Sequence, residues 1–329
     1  MRLRITHDTR YVYAPAVETA LHMAYLTPPH TRAQQRLDAA LEVSPTPVVL
    51  TETVDVYRNV RAFFEIDSAH EQLLVRANSL VDTRWPEHVA SQISWDDTRQ
   101  QFIYRAGAHW HPAAEFIYPS AHVLPGEVFA DYARPSFPPG RPLLDAAREL
   151  MQRVHQDFTY ASHSTEINTP AAEALAERRG VCQDFSHVML SCLRSLGLPP
   201  RYVSGYLLTQ PPPGQPRLIG SDASHAWVSV FLPDLAEQTD GHGWYDLDPT
   251  NNRDGWGTPG EDFVRLAVGR DFADVSPMRG VIHGSGSHVL AVGVTVQLCE
   301  AASLAEAPPM PLPPLPPNEK DPPQTSTTP

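Results

Sequence analysis

The chain has 329 residues, 42% of them hydrophobic, which is enough to bury one large core or two ordinary ones and predicts a globular protein of about two domains. Its 25 Lys and Arg residues against 38 Asp and Glu residues give a formal net charge of −13, which repels nucleic-acid phosphates and anionic lipid surfaces. This charge disfavours nucleic acid and membranes as binding partners, so we expect neither. Because no segment has the apolar length of a signal peptide or a membrane span, we also expect a cytoplasmic protein.

Residues 1–135 carry short runs in which apolar and polar residues alternate. A period of two is typical of strands that are buried on one face. We therefore predict a β-rich N-terminal domain over residues 1–135. The alternating positions are Leu3 and Ile5, Tyr11 and Tyr13, Val54 and Val56, Ala62, Phe64 and Ile66, and Val75, Ala77, Ser79 and Val81.

A proline cluster at residues 135–142 marks the boundary to a region with helical periodicity. Apolar residues at helical spacing follow directly, from Leu143 to Val154, and predict a helix with one face in a core. We place a second domain at residues 136–300. The remaining residues, 301–329, are rich in proline and cannot build a core, so we expect a disordered tail.

Two more helices are predicted inside the second domain. Thr169 is a suitable N-cap with Pro170 in the first helical position, and this helix should end near Gly180. The next helix begins at about Cys182, carries an apolar stripe, and ends at Gly197 ahead of two prolines.

Strand patterns follow these helices. They lie at residues 201–206, 225–231 and 243–248, with one more candidate at 289–298. A helix that leads into an antiparallel sheet, preceded by a β-rich domain, gives an α+β fold.

Three cysteines occur, Cys182, Cys192 and Cys299, without the paired spacing of a disulfide framework or a thiolate zinc site. Cys182 lies where a glycine turn passes into a helix, so its sulfur would face unpaired backbone N–H groups and the positive end of the helix dipole. Both features favour a thiolate. Position alone leaves open that Cys182 is an ordinary buried cysteine.

His225 and Asp248 are the residues that could work with this thiol. His225 begins a predicted strand, and a neutral imidazole near the sulfur could take its proton and later protonate a leaving amine. Asp248 ends the next strand, and two antiparallel neighbours could bring it beside the imidazole. A structural histidine and an Asp-Pro turn remain the plain alternatives for these two residues.

Four segments together resemble the bacterial transglutaminase-like superfamily over about residues 140–280. They are Arg179-Gly-Val-Cys-Gln-Asp-Phe-Ser-His187, Arg201-Tyr-Val-Ser-Gly-Tyr206, His225-Ala-Trp227 and Trp244-Tyr-Asp-Leu-Asp-Pro-Thr250. Near the N-terminus, Leu3-Arg-Ile-Thr-His-Asp-Thr-Arg-Tyr11 and Tyr25-Leu-Thr-Pro28 resemble the small β-rich domain of the same family. The resemblance implies a papain-like core in which a helix bearing the cysteine packs on an antiparallel sheet bearing the histidine and the aspartate.

The same resemblance implies the site residues. Cys182, His225 and Asp248 would form a catalytic triad, and Tyr160 or the Cys182 backbone N–H could donate to a developing oxyanion. Tyr160 could equally be a core residue. For Asp184 and His187, which follow the cysteine on its helix, a supporting hydrogen bond is favoured over direct chemistry.

Neither a cofactor nor a metal is expected. The chain lacks an HExxH motif, and the close pair His109 and His111 has no further ligand nearby except Glu115.

The predicted reaction is acyl transfer from peptide or glutamine side-chain amides in a protein or peptide substrate, through a thioester on Cys182. Water would complete hydrolysis, as in a cysteine protease or amidase, and this outcome is favoured by the resemblance. An amine would complete transglutaminase crosslinking, and a non-catalytic binding module is a further alternative. The loop at 210–215 is a candidate rim of the cleft or a plain surface connection, and the proline segment 308–317 is either a docking segment or a solvated spacer.

Overall fold

The computed structural model describes residues 1–107, 110–161, 169–209, 223–239, 241–284 and 286–299. The loop at 210–215 and the predicted proline-rich tail lie outside these residues. Within the described part of the chain, none of the helices is long and apolar enough to cross a membrane.

The N-terminal part of the chain consists of six strands. They are β1 (Arg2–Val17), β2 (Thr19–Thr27), β3 (Gln34–Ser44), β4 (Val49–Val54), β5 (Val60–Ile66) and β6 (His70–Thr83). Helices and strands then alternate through the rest of the chain. They are α1 (Trp95–Phe102), a 3-10 helix (Pro112–Ile117), α2 (Glu127–Ala133), a second 3-10 helix (Arg134–Ser136), α3 (Leu143–Asp157), β7 (Thr159–Tyr160), α4 (Ala171–Glu177), β8 (Arg179–Gly180), α5 (Cys182–Ser195), β9 (Pro200–Leu207), β10 (Ser224–Phe231), α6 (Pro233–Gln238), β11 (Trp244–Asp248), β12 (Arg253–Trp256), β13 (Phe263–Gly269), α7 (Phe272–Val275), β14 (Met278–His283) and β15 (Ser287–Leu298).

Two four-stranded antiparallel sheets form the N-terminal region, with strand orders β15-β1-β6-β3 and β14-β2-β5-β4. Alternation fixes which side chains face inward, since every second residue of β5 is buried and the residues between are partly exposed. Tyr13 and Leu73 from one sheet pack with Phe64 and Ile66 from the other in a shared apolar core. The predicted β-rich region is therefore present.

The strand predicted at 289–298 belongs to this region and not to the second domain. It is part of β15, which pairs with β1 along its length, from Leu3 opposite Leu298 to Ala14 opposite Ser287. The β14 strand likewise extends the second N-terminal sheet. Periodicity identifies a strand but not its partner, and the partner here lies at the opposite end of the chain.

The predicted boundary near residue 135 also differs from the packing. Helix α2 precedes that boundary, yet its buried residues Phe129 and Ala133 lie in the same hydrophobic core as Leu150 of α3 and Met189 of α5. The short helices before residue 135 were not predicted, because short apolar runs carry little periodic signal.

The helices of the second region follow the predictions closely. Helix α3 buries Leu143, Leu150 and Val154, and α5 begins at Cys182 and is followed by Gly197 in a left-handed conformation. The predicted N-cap at Thr169 is wrong, because the N-cap of α4 is Pro170.

A five-stranded antiparallel sheet of order β12-β11-β10-β9-β13 completes the core. Helix α5 packs on β9 and β10, against the face that carries Ala226, Val228 and Leu247. Trp227 of β10 packs instead with Val203, Phe263 and Val268 on the opposite face. A helix that begins at the cysteine and an antiparallel sheet that carries the histidine and aspartate confirm the predicted α+β, papain-like fold.

Candidate active site

Cys182 is the first residue of α5, and Val181 alone separates it from the short strand β8. Strand β8 pairs in parallel with β7, where Tyr160 lies opposite Gly180. Helix N-termini leave N–H groups without intrahelical acceptors, and the helix dipole is positive there. The thiol is therefore placed at an end of the helix that favours negative charge.

Asp184 holds the turn that precedes the cysteine. Its side chain is 2% exposed, and its Oδ2 accepts a hydrogen bond from the Val181 N–H at 2.8 Å. A Cβ atom on Gly180 would lie 2.5 Å from Asp184 Oδ2, so a side chain at residue 180 would collide with this brace. In the Gly-Val-Cys-Gln-Asp segment, the glycine is therefore needed for space and the aspartate as the hydrogen-bond acceptor.

His225 and Asp248 form a buried pair on adjacent strands. His225 Nε2 lies 2.8 Å from Asp248 Oδ2, and the two residues are 8% and 0% exposed. The carboxylate accepts further hydrogen bonds, from the Thr250 N–H at 2.9 Å and the Asn251 N–H at 3.3 Å to Oδ1, and from Asn251 Nδ2 at 2.8 Å to Oδ2. The tight turn after β11 therefore fixes the orientation of the carboxylate.

The Cys182 side chain is hydrogen-bonded to the same imidazole. Burial lowers the pKa of His225, but the charge of Asp248 and hydrogen bonds to Asp248 and Cys182 outweigh burial and raise the pKa to about 10. Burial raises the pKa of Asp248, and the His225 charge together with the hydrogen bonds from His225, Asn251 and Thr250 lowers it below its ordinary value. The structure thus brings Cys182, His225 and Asp248 together as an array that favours a protonated imidazole beside an ionised carboxylate.

Two aromatic rings pack against the imidazole. The Trp227 ring stacks on His225 with a centroid distance of 6.1 Å, and the Phe263 ring meets it edge-on at 5.7 Å. Gly205, which lies opposite His225 in β9, makes room for this packing. A Cβ atom at residue 205 would lie 2.5 Å from Trp227 Cη2 and 2.3 Å from the Val264 carbonyl oxygen.

Asp246 is a second buried carboxylate on the same strand as Asp248. It accepts a hydrogen bond from the Ser229 hydroxyl, and burial raises its pKa. No hydrogen bond between Asp246 and His225 is found among the described residues, so the aspartate that meets the imidazole is Asp248.

Tyr160 and His187 occupy different surroundings. Tyr160 is 48% exposed, and its ring lies 6.4 Å from that of Phe185, so it is a surface residue beside the turn that precedes Cys182. His187 is buried and stacks on His122 at 5.3 Å, and its Nε2 accepts a hydrogen bond from the Phe272 N–H at 3.3 Å. Burial lowers the pKa of His187 to about 3, which keeps this ring neutral.

The residues considered for a metal are engaged elsewhere or lie outside the described residues. His111 Nδ1 accepts a hydrogen bond from the Ala113 N–H, and Glu115 accepts one from the Tyr57 hydroxyl. His109 lies outside the described residues. In the rest of the chain that the structure describes, no group of three His, Cys, Asp or Glu side chains is arranged to hold a metal ion.

Asn251 is the residue of this site that the sequence analysis missed. Its side chain contacts both members of the buried pair, with Nδ2 at 2.8 Å from Asp248 Oδ2 and 3.3 Å from His225 Nε2. The available signal was its position directly after Asp-Pro-Thr, because residues that follow an Asp-Pro turn often bond back to the aspartate.

Comparisons with known proteins agree with this architecture. A family model for the transglutaminase-like superfamily matches residues 131–249, and one for the bacterial transglutaminase-like N-terminal region matches residues 3–82. An uncharacterized protein of Mycobacterium tuberculosis is 37% identical over 313 residues, covering 92% of this chain and 95% of that protein. An uncharacterized protein of Mycobacterium leprae is 29% identical over 299 residues, covering 90% and 98%.

A solved structure provides the comparison of folds. A protein of Cytophaga hutchinsonii, described as a candidate cysteine protease, matches with a TM-score of 0.65 at 21% identity, covering 93% of this chain and 94% of that chain. This likeness extends over both the β-rich region and the core. From the two family matches and the mycobacterial relatives, the chain belongs to the transglutaminase-like superfamily.

Proposed function

We propose that the chain is a thiol enzyme that transfers acyl groups from peptide or glutamine side-chain amides, with Cys182 as the nucleophile. The observation that carries the proposal is the array in which Asp248 holds His225 at 2.8 Å and His225 contacts Cys182 at the start of α5. A thiol, a base and an orienting carboxylate in this order are the parts that nucleophilic acyl transfer requires.

In the first half of the reaction, Cys182 Sγ would attack the amide carbonyl carbon and form a C–S bond while the carbonyl oxygen takes up negative charge. The C–N bond then breaks, and the proton held by His225 passes to the leaving nitrogen. The products of this step are a thioester and a free amine or ammonia. Asp248 keeps Nε2 of the imidazole engaged, so Nδ1 is the ring nitrogen available to the sulfur and the leaving group.

The oxyanion needs donors close to the nucleophile. The Cys182 backbone N–H lies in the first turn of α5, where helical N–H groups have no intrahelical acceptor. Tyr160 is the second proposed donor, since its strand pairs with the residues just before the cysteine and its side chain is half-exposed. Asp184 is assigned a supporting role through its hydrogen bond to Val181.

In the second half of the reaction, we propose that water attacks the thioester while His225 takes its proton, which gives a carboxylic acid and restores the thiol. The description of the Cytophaga fold neighbour as a candidate cysteine protease agrees with this outcome. Attack by an amine would give transglutaminase crosslinking, and this is the runner-up. A non-catalytic binding module would not need Cys182, His225 and Asp248 in contact. Measurable turnover therefore distinguishes an enzyme from a binding module.

The test incubates the full chain with glutamine-containing peptides, with and without a primary amine, and identifies products by mass spectrometry. Hydrolysis gives the free acid or cleaved peptide in both mixtures, whereas transfer gives an amine conjugate only when the amine is present. Cys182→Ala should abolish turnover while the fold is retained, and Cys192→Ala is the matched control, because Cys192 is buried further along the same helix. Turnover in Cys182→Ala close to that of the wild type would overturn the assignment of the nucleophile.

A further inference from the structure

Asn251 contacts the buried pair at both ends of the carboxylate. Its Nδ2 donates to Asp248 Oδ2 at 2.8 Å, the same oxygen that binds His225 Nε2, and its backbone N–H donates to Oδ1 at 3.3 Å. The amide nitrogen also lies 3.3 Å from His225 Nε2. One residue therefore restrains the rotation of the Asp248 carboxylate and lies against the hydrogen bond that Asp248 makes to the histidine.

The position of Asn251 relative to solvent adds a second property. Asn251 is exposed, whereas Asp248 is fully buried. Asn251 therefore reaches from the buried pair to the surface. An interaction between charges weakens when water reaches it, because the effective dielectric constant rises.

We infer that Asn251 is a positioning residue, whose amide holds the Asp248 carboxylate toward His225 and shields the hydrogen bond between them from water. Its effect on turnover rests on the proposed function. Its effect on His225 follows from the contacts alone and is measurable without any substrate.

The other groups around His225 define what the measurement reports. Asp248 faces the ring from β11 and Cys182 faces it from α5, while Trp227 and Phe263 contribute aromatic rings. The Arg253 guanidinium stacks over Phe263 at 4.8 Å and pairs with Asp262. A change at residue 251 therefore acts on an imidazole whose contacting acidic partner is Asp248.

Two substitutions should move the titration of His225 in opposite directions. Asn251→Ala removes the restraint on the Asp248 carboxylate and weakens its hydrogen bond to the imidazolium; this loss should outweigh the relief of burial, so the titration midpoint of His225 should fall by about half a pH unit. Asn251→Asp has nearly the same shape but places a negative charge beside Nε2, so the midpoint should rise by about one pH unit. Asn252→Gly is the matched control, since residue 252 has a φ of 53°, a conformation that glycine adopts without strain.

The measurement is an NMR titration of the His225 ring in isotopically labelled full-length protein, with the signal assigned by its loss in His225→Ala. Opposite shifts in the two Asn251 variants, with Asn252→Gly at the wild-type value, support the inference. Unchanged midpoints, shifts in the same direction, or an equal shift in Asn252→Gly overturn it. Because Asn251→Asp preserves the size and shape of the side chain, it tests the inference even when Asn251→Ala fails to fold.

Kinetics then separate this role from the proposed function. In an active enzyme, Asn251→Ala should lower kcat by about tenfold and leave KM within about twofold, because Asn251 acts on the base and not on substrate binding. Absence of turnover in the wild type would refute the proposed function and leave the NMR result standing. A rise in KM with kcat unchanged would instead overturn the positioning role.

Discussion

His225 in the transglutaminase-like core and His22 in the N-terminal sheets are both buried, with 8% and 4% of their surface exposed, yet their surroundings drive them to opposite charge states. His225 bonds the ionised Asp248, and its pKa is raised to about 10. His22 packs against the Phe64 ring at 5.2 Å, and neither ring nitrogen has a hydrogen-bond partner among the described residues. Burial, together with the nearby His70, lowers its pKa to about 4.

The comparison separates burial from function. Burial alone makes a histidine neutral, as in the N-terminal sheets, whereas a buried carboxylate makes it a cation at neutral pH. The core therefore holds an ionised pair beside a thiol, whereas in the N-terminal sheets burial lowers the pKa of His22 and of His7. Substituting His225 or Asp248 should lower turnover, whereas substituting His22 should change how stability depends on pH.

The largest expected effect comes from His225→Ala. This change removes the group proposed to carry the proton and leaves Asp248 buried without its charged partner. Turnover should fall by about 10²- to 10⁴-fold, the range typical of a positioned acid and base. Steady-state kinetics on the glutamine peptides measure the loss, and turnover within a fewfold of the wild type would show that another residue is the base.

Asp248→Asn should cost less than His225→Ala, because the aspartate orients the imidazole and favours its cationic form without carrying the proton itself. Asp246→Asn is the matched control on the same strand, since Asp246 bonds Ser229 and not His225. Its turnover should stay close to that of the wild type in the same assay. Greater damage from Asp246→Asn than from Asp248→Asn would make Asp246 the third member of the site.

The smallest of these effects concerns stability at acidic pH. His22 binds its proton near pH 6.5 when unfolded but only near pH 4 in the fold, so the unfolded chain gains protons first and stability is lost as the pH falls from 6.5 to 4. The difference corresponds to about 3 kcal/mol at the acidic end. His22→Phe removes this titration, and denaturant unfolding at pH 7 and pH 4.5 should therefore show a smaller loss of stability between the two than in the wild type.

His283→Gln provides the control for that measurement, because His283 is exposed and pairs only with Glu18 at the surface among its described contacts. Its pH dependence should match the wild type. If His22→Phe and the wild type lose the same stability between pH 7 and pH 4.5, protonation of His22 does not destabilise the fold at acidic pH. The sign for His225 is opposite, since a raised pKa adds stability at low pH that is lost as the pH rises toward 10.

Much of the core could be predicted from local signals. The glycine turn before Cys182 and the apolar stripe after it locate the start of α5, and alternating residues locate β10 and β11. The resemblance then selects Cys182, His225 and Asp248, which the structure brings together. Such features are predictable because helix starts and strand periods are written within a few neighbouring residues.

What escaped prediction depends on contacts between distant segments. The partner of β15 is β1, at the other end of the chain, and periodicity carries no information about which edge a strand joins. Asn251 was missed because its role arises only when the turn after β11 folds back on Asp248. Nor could the sequence reveal that neither ring nitrogen of His22 has a hydrogen-bond partner in the described part of the chain, since an alternating pattern shows that a residue faces inward but not what it meets there.

The central claim, that His225 and Asp248 prepare Cys182 as a reactive thiol, is tested most directly by a short pulse of iodoacetamide at mildly acidic pH, followed by peptide mapping. An ordinary thiol titrates near pH 8.5 and is almost wholly protonated under these conditions. Cys192 is fully buried, and burial raises the pKa of its thiol, so it should stay unlabelled. The account predicts that label concentrates on Cys182 and that His225→Ala removes this low-pH reactivity, whereas equal labelling of Cys182, Cys192 and Cys299 would contradict it.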